Sequence, residues 1–150
     1  MQNLEQDILI LLNDVARLCR TRFDQRARAR GMTRAQWIIL SWLNRQPGLS
    51  QNEMASILEV EPISVGRLID RLEARGLVER RPDPGDRRVN RLHLLSAAKP
   101  FLEEITVQRE SLSADILLGI DATARSLLVD ALQRMKSNLT EAQPAKAVGE

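Results

Sequence analysis

The sequence predicts a mainly α-helical protein with one small β-hairpin, and three observations carry that reading. Hydrophobic residues make up 43% of the chain but aromatics only 3%, so any core must be built from Leu, Ile, Val and Ala, which suits helices. Apolar residues recur at helical spacing in six separate stretches. A single stretch, following Gly76, switches to short alternating runs around a Pro/Gly/Asp turn.

Taken in order, the first helix is expected from Leu4 to Arg30, with Leu4, Ile8, Leu11, Leu12, Val15, Leu18, Cys19 and Phe23 on one stripe and Gly31 as its stop. Thr33 to Gln36 has the spacing of a capping box, where a hydroxyl and an amide three residues apart satisfy each other's backbone donors. It opens a helix carrying Trp37, Ile38, Leu40, Trp42 and Leu43, halted by Pro47-Gly48. Ser50 to Glu53 repeats the spacing and opens a third helix with Met54, Ala55, Ile57 and Leu58. Pro62 fits the first turn of a fourth, because its missing N–H costs nothing there. Ile63, Val65, Leu68, Ile69 and Leu72 form its expected apolar stripe, and Gly76 follows its end near Arg75. Leu77 to Arg81 and Arg88 to Leu94 read as two strands joined by Pro82-Asp83-Pro84-Gly85-Asp86. Ser96 is expected to cap a fifth helix containing Phe101, Leu102, Ile105, Leu112, Ile116 and Leu117. Asp121 caps a sixth with Leu127, Leu128, Ala131, Leu132, Met135 and Leu139. The polar stretch 141–150 is expected to fray.

The stretch Glu61 to Ser96 organises the rest. The third and fourth helices make a helix-turn-helix and the basic hairpin adds a wing, so the fold class is a winged helix-turn-helix flanked by N- and C-terminal helices. Such a helix fits a DNA major groove, and an arginine-tipped hairpin reaches the adjacent minor groove. Arg80, Arg81, Arg87, Arg88 and Arg91 gather on the hairpin. A solvated face is the ordinary explanation of charge on a helix, but it does not explain five arginines at one turn.

By length, 150 residues make one domain, divided here into a winged helix-turn-helix lobe at 33–96 and a helical dimerisation lobe at 4–30 and 97–139. The apolar surface of the first helix exceeds what a small winged domain can cover, and a second copy of the chain is the simplest cover. Net charge is only +2, yet 19 of the 22 basic residues are arginines, most of them between Arg17 and Arg91. Arginine suits bidentate phosphate and guanine contacts, and it also accumulates in GC-rich genomes. No leader-like segment or membrane-length apolar run stands in the sequence, and Cys19 has no second cysteine to pair with, so a cytoplasmic protein is expected. No Gly-rich phosphate loop, nucleophile elbow or metal-ligand spacing occurs, and His93 stands alone as an expected solvent-facing wing residue. Neighbours Glu103 and Glu104 are expected only to solvate their helix. No catalytic residue, metal or cofactor is expected, and an enzyme is the weakest class.

In order, the segments GMTRAQWIILSWL, LSQNEMASIL, SVGRLIDRLEARGLVERRPDPGDRRVNRLHLL and SAAKPFLEEI resemble the MarR family (multiple-antibiotic-resistance, SlyA-type) of transcriptional regulators over about Leu4 to Leu139. Asp86-Arg87-Arg88 followed by Leu92 and Leu94 is the most specific match. The resemblance implies a homodimer with intertwined terminal helices, each protomer offering one winged helix to half of a pseudo-palindromic operator in double-stranded DNA. It implies that Ser64 and Arg67 face the major groove, with Pro62, Ile63 and Gly66 beside them and Arg71 on the same helix. Arg88 would enter the minor groove, Asp86 would orient it, and Arg87 and Arg91 would serve phosphates. Many members place Thr after the last wing leucine, whereas Leu95 and Ser96 stand here, which puts the expected cap at Ser96.

The resemblance further implies a repressor released by a small aromatic or phenolic effector, in a pocket between the first two helices, the fifth helix and the dimer region that includes Trp37. Trp37 read alone is an ordinary core residue. Some members sense peroxide through a first-helix cysteine, which makes a redox-sensing regulator based on Cys19 an alternative. Against it, those members pair the thiol with tyrosines and this chain has none, and Cys19 lies on the apolar stripe. Another alternative is a winged helix used for protein interaction. That reading expects large apolar anchors on the fourth helix, whereas Ser64, Gly66 and Arg67 make a small polar face.

Overall fold

A computed structural model describes residues 7–141. The expected helix start at Leu4 and the tail beyond Glu141 lie outside the described residues. The elements run α1 (Ile8–Arg28), α2 (Arg34–Arg45), α3 (Gln51–Leu58), α4 (Pro62–Ala74), β1 (Val78–Pro82), β2 (Asn90–Leu94), α5 (Lys99–Ile116) and α6 (Ala122–Thr140). The backbone divides into two compact units, one ending at Glu110 and one beginning at Ser111.

Local chemistry sets most of the helix boundaries in the first unit. Both capping boxes are complete. Thr33 Oγ1 accepts from Gln36 N at 3.1 Å while Gln36 Oε1 accepts from Thr33 N at 2.9 Å, and Ser50 and Glu53 exchange the same pair at 3.1 and 3.0 Å. Each such cap is worth about 1 kcal/mol. Pro62 is the first residue of α4, and Gly76 takes the left-handed conformation, φ +69°, that ends it. Helix α1 stops at Arg28, two residues before the expected Arg30, with Gly31 also left-handed.

The core of this unit is a shared interior of α2, α3, α4 and the hairpin. Ile39, Leu40, Leu43, Met54, Val65, Ile69, Leu72 and Leu92 are fully buried, with Leu77 and Val78 nearly so, and Ile105 of α5 and Ala27 of α1 close the same cluster. Ile63 does not belong to it, because it lies two residues, about 200° of helical turn, from Val65 and so points the opposite way. Its side chain is 67% exposed.

The hairpin is antiparallel, pairing Val78 with Leu94, Arg80 with Leu92 and Pro82 with Asn90. Its strands start later than the alternation predicts. Arg88 lies in the turn, because Asp86 Oδ1 accepts the Arg88 N–H at 3.0 Å and the Asp86 carbonyl accepts Val89 N at 3.0 Å. Ser96 opens a single 3-10 turn and makes no side-chain cap, a correction to the expected boundary. The turn is closed by the backbone instead, Ala98 N donating to Leu95 O at 3.0 Å, and buried Ala98 anchors it. His93 is half-buried, not solvent-facing, since its ring sits beside Gly48, 3.5 Å from where a β-carbon there would stand. Glu104 does more than solvate α5. Its carboxylate receives Arg30, in the turn that follows α1, and Gln108 Nε2, the latter at 2.8 Å, and these bonds hold it below the usual carboxylate range, Gln108 contributing most.

In the second unit, Asp121 caps α6 by accepting Ala124 N at 2.8 Å, and the Arg125 guanidinium donates to the Ile120 and Leu117 carbonyls at 2.7 and 3.0 Å. No residue of α6 is buried. Among the described residues no helix is long and apolar enough to cross a membrane, and no group of three or more His, Cys, Asp or Glu is placed to hold a metal.

Candidate nucleic-acid interface

Helix α4 presents three stripes, and they do different things. Val65, Leu68, Ile69 and Leu72 face the core. Gly66, Asp70 and Glu73, at successive turns, face the wing. Ile63, Ser64, Arg67 and Arg71 make the remaining, exposed face. Arg67 and Arg71 have no side-chain partner among the described residues. Pro62 begins this face at the turn from α3, where Glu59 takes a left-handed conformation, φ 55°. That turn is tight enough to bring the Gln51 amide within 3.5 Å of the Pro62 carbonyl.

The wing tip carries the second cluster of cations. Arg88 Nε and Nη2 donate to the two Asp86 oxygens at 3.1 and 3.2 Å, while the Arg88 side chain stays 91% exposed. Asp86 therefore holds the guanidinium by its inner edge and leaves the outer edge to solvent. That bond, with the Arg88 N–H, keeps the Asp86 carboxyl below its usual range against the opposing effects of burial and of Asp83. Arg87 is exposed and has no side-chain partner among the described residues.

Arg91, expected to serve phosphate, is engaged elsewhere. Its Nε donates to Asp83 Oδ2 at 2.7 Å and its Nη1 to Gly48 O at 3.2 Å, with the Glu53 carboxylate at 3.6 Å. Bonding to Asp83 raises the Arg91 pKa and lowers that of Asp83. Gly66 also has internal work, since a β-carbon there would stand 3.1 Å from Gln51 Nε2. Arg80 counts in the sequence as one more wing cation, yet its side chain turns inward. The signal was the alternation itself, because in β1 Arg80 shares a face with buried Val78 and opposes buried Leu92.

A separate cavity of about 440 Å³ opens among α1, α2 and α5, with Cys19, Arg20, Arg34, Trp37, Arg45 and Arg109 on its wall. Trp37 packs edge-to-face on Phe23 at 6.5 Å between ring centres, Arg45 stacks over Trp42 at 5.4 Å, and Arg34 pairs with Asp24 at 3.0 Å. Cys19 is half-buried.

A helix-turn-helix whose second helix exposes small and basic side chains beside an arginine-tipped hairpin defines a winged-helix DNA-binding protein. The MarR family's sequence profile matches residues 30–89. The transcriptional regulator PA3341 is similar over 86% of this chain and 95% of its own, with 33% identity and a TM-score of 0.74. The transcriptional regulator SlyA is similar over 89% and 94%, with 25% identity and a TM-score of 0.76. MarR itself shares the fold over 93% and 95%, with 23% identity and a TM-score of 0.81. The chain belongs to the MarR family of DNA-binding transcriptional regulators.

Proposed function

We propose that the protein is a homodimeric, sequence-specific repressor that binds a pseudo-palindromic operator and is released by a small aromatic or phenolic effector. The observation that carries the DNA reading is the pairing of two exposed cationic clusters, Arg67 and Arg71 on α4 with Arg87 and Arg88 on the wing. In this reading Arg67 reads a guanine edge, Ser64 and Ile63 contact neighbouring bases, Ile63 through a thymine methyl, and Pro62 sets the first turn against the backbone. Arg88 enters the minor groove, oriented by Asp86, and Arg71 and Arg87 meet phosphates. Gly66 and Arg91 act behind that surface, Gly66 by letting α3 approach α4 and Arg91 by bracing the wing.

Support for the dimer comes from apolar side chains left uncovered in one chain. On α1, Ile8, Leu9, Leu11, Val15 and Leu18 are exposed, and on α6 so are Leu127, Leu128, Val129 and Leu132. Such surface on a lone chain marks an interface. The lobes at 4–30 and 97–139 are thus assigned to dimerisation and 33–96 to DNA. The arginine- and tryptophan-lined cavity supports an anionic aromatic effector, which must bind the DNA-incompetent state more tightly to shift anything.

Selection of bound fragments from random-sequence DNA, followed by anisotropy titration at two salt concentrations, tests the reading. Recovery of a two-fold symmetric site, with half-sites about one helical turn apart and affinity surviving random competitor, is expected. Weak binding that salt erases, with no recovered consensus, would overturn it.

A further inference from the structure

We propose that Arg80 is the positioning residue that locks wing, reading helix and bracing helix into one rigid reader, so that it governs operator specificity without touching DNA. The inference rests on the DNA-binding reading above and adds to it a residue that no exposed surface reveals.

The argument begins with donor counting. A guanidinium has five N–H donors in a fixed plane. In Arg80, Nε donates to Gln51 Oε1 at 3.3 Å, Nη1 to Asp70 Oδ1 at 2.8 Å and also to the Glu73 carboxylate, and Nη2 to the Gly66 carbonyl at 3.0 Å. Four donors are committed, which leaves none of the paired edges that recognise a phosphate or a guanine bidentately. The side chain is only 22% exposed. One residue of β1 thus grips α4 at three successive turns and α3 at its first residue.

Gln51 extends the grip. Its oxygen takes the Arg80 N–H while its nitrogen points to the Pro62 carbonyl at 3.5 Å, so the start of α4 is referred to the same guanidinium. Gly66 permits the approach, because a β-carbon there would press on Gln51 Nε2 at 3.1 Å. The exposed face of α4 and the tip carrying Arg88 are then held at one separation and one angle. When two contact patches are rigidly linked, the second contact forms intramolecularly once the first is made. Base readout needs that alignment, whereas attraction to the phosphate backbone needs only the exposed cations.

The test compares Arg80→Gln, the double variant Asp70→Asn with Glu73→Gln, and Arg88→Gln as reference. Each is titrated by anisotropy on the selected operator and on random DNA across a salt series, with circular dichroism verifying the fold. Arg80→Gln should lose operator affinity by about tenfold or more, the cost of one mispositioned base contact. Its random-DNA affinity and salt slope should match the parent's, whereas Arg88→Gln should reduce the slope by about one. The double variant retains Arg80 and every apolar contact, so it carries the test if Arg80→Gln fails to fold. It should show the same loss of operator preference. A slope lowered by about one in Arg80→Gln, operator affinity equal to the parent's, or a gain of operator affinity in the double variant would overturn the proposal. A parent protein that selects no operator overturns the regulator reading itself. A parent that selects one which Arg80→Gln binds equally overturns only this inference.

Discussion

The segment from α2 to β2 and the two terminal helices α1 and α6 have similar apolar periodicity and opposite fates. In the former, Leu40, Leu43, Met54, Ile69, Leu72 and Leu92 are fully buried by neighbours in the same chain. In the latter, Ala27 is the only buried residue of α1, and α6 has none. A helical stripe therefore announces that something must cover it but not whether the cover is intramolecular. The winged-helix core is completed within one chain, whereas α1 and α6 each leave apolar side chains exposed, which the proposed dimer would cover.

The sharpest way to break that comparison is to charge the uncovered face. Leu12→Glu together with Leu128→Glu should convert the proposed dimer to monomer in sedimentation at micromolar concentration, because an unpaired charge cannot be carried into an apolar interface. Helicity of the reading head should persist, and a variant that remains dimeric would remove these helices from the interface. Truncation inside the head comes next. Leu43→Ala should lower unfolding free energy by about 2–5 kcal/mol in urea, from lost burial and the cavity left behind. A loss below about 1 kcal/mol would show that the head is less tightly packed than its burial implies.

Within the DNA surface, effects should separate by role. Arg67→Ala should reduce operator preference by about 1–3 kcal/mol if it makes a bidentate base contact. Arg88→Ala should weaken operator and random DNA alike with the fold intact. An unchanged specificity ratio for Arg67→Ala would reassign it to phosphate. The smallest effect is acidification. Asp86 has a folded-state pKa below the ordinary 3.8, with the Arg88 bond the leading cause. Its pairing is therefore fully present above that ordinary value and is lost as pH falls through the lower folded value. The Arg88 side-chain resonance should hold steady from pH 7 to 5 and shift only on acidification below about 4. A shift complete by pH 5 would contradict the pairing.

Much of the fold was legible because its punctuation is local. The Thr33–Gln36 and Ser50–Glu53 boxes, Pro62 at the start of α4 and Gly76 after its end each act within one turn of chain, so spacing alone locates them. Ile63 fits the loose helical spacing of the apolar stripe, but the strict 100° step excludes it. The Ser96 cap failed because a backbone turn already satisfies that junction.

The functional site divides along the same line. Sequence by itself determined where the helix-turn-helix lies, that a basic hairpin follows it, and that Asp86 and Arg88 can pair, since only Arg87 separates them. Only the tertiary structure decided which arginines are free to work. Arg80 meets Gln51 across 29 positions and Arg91 meets Gly48 across 43, so their charge is spent inside the protein while Arg67, Arg87 and Arg88 keep theirs outside. The five wing arginines carry the same charge in the sequence. Strand alternation and long-range packing turn two of them inward to carboxylates and carbonyls, and that geometry exists only once β1, α3 and α4 have come together.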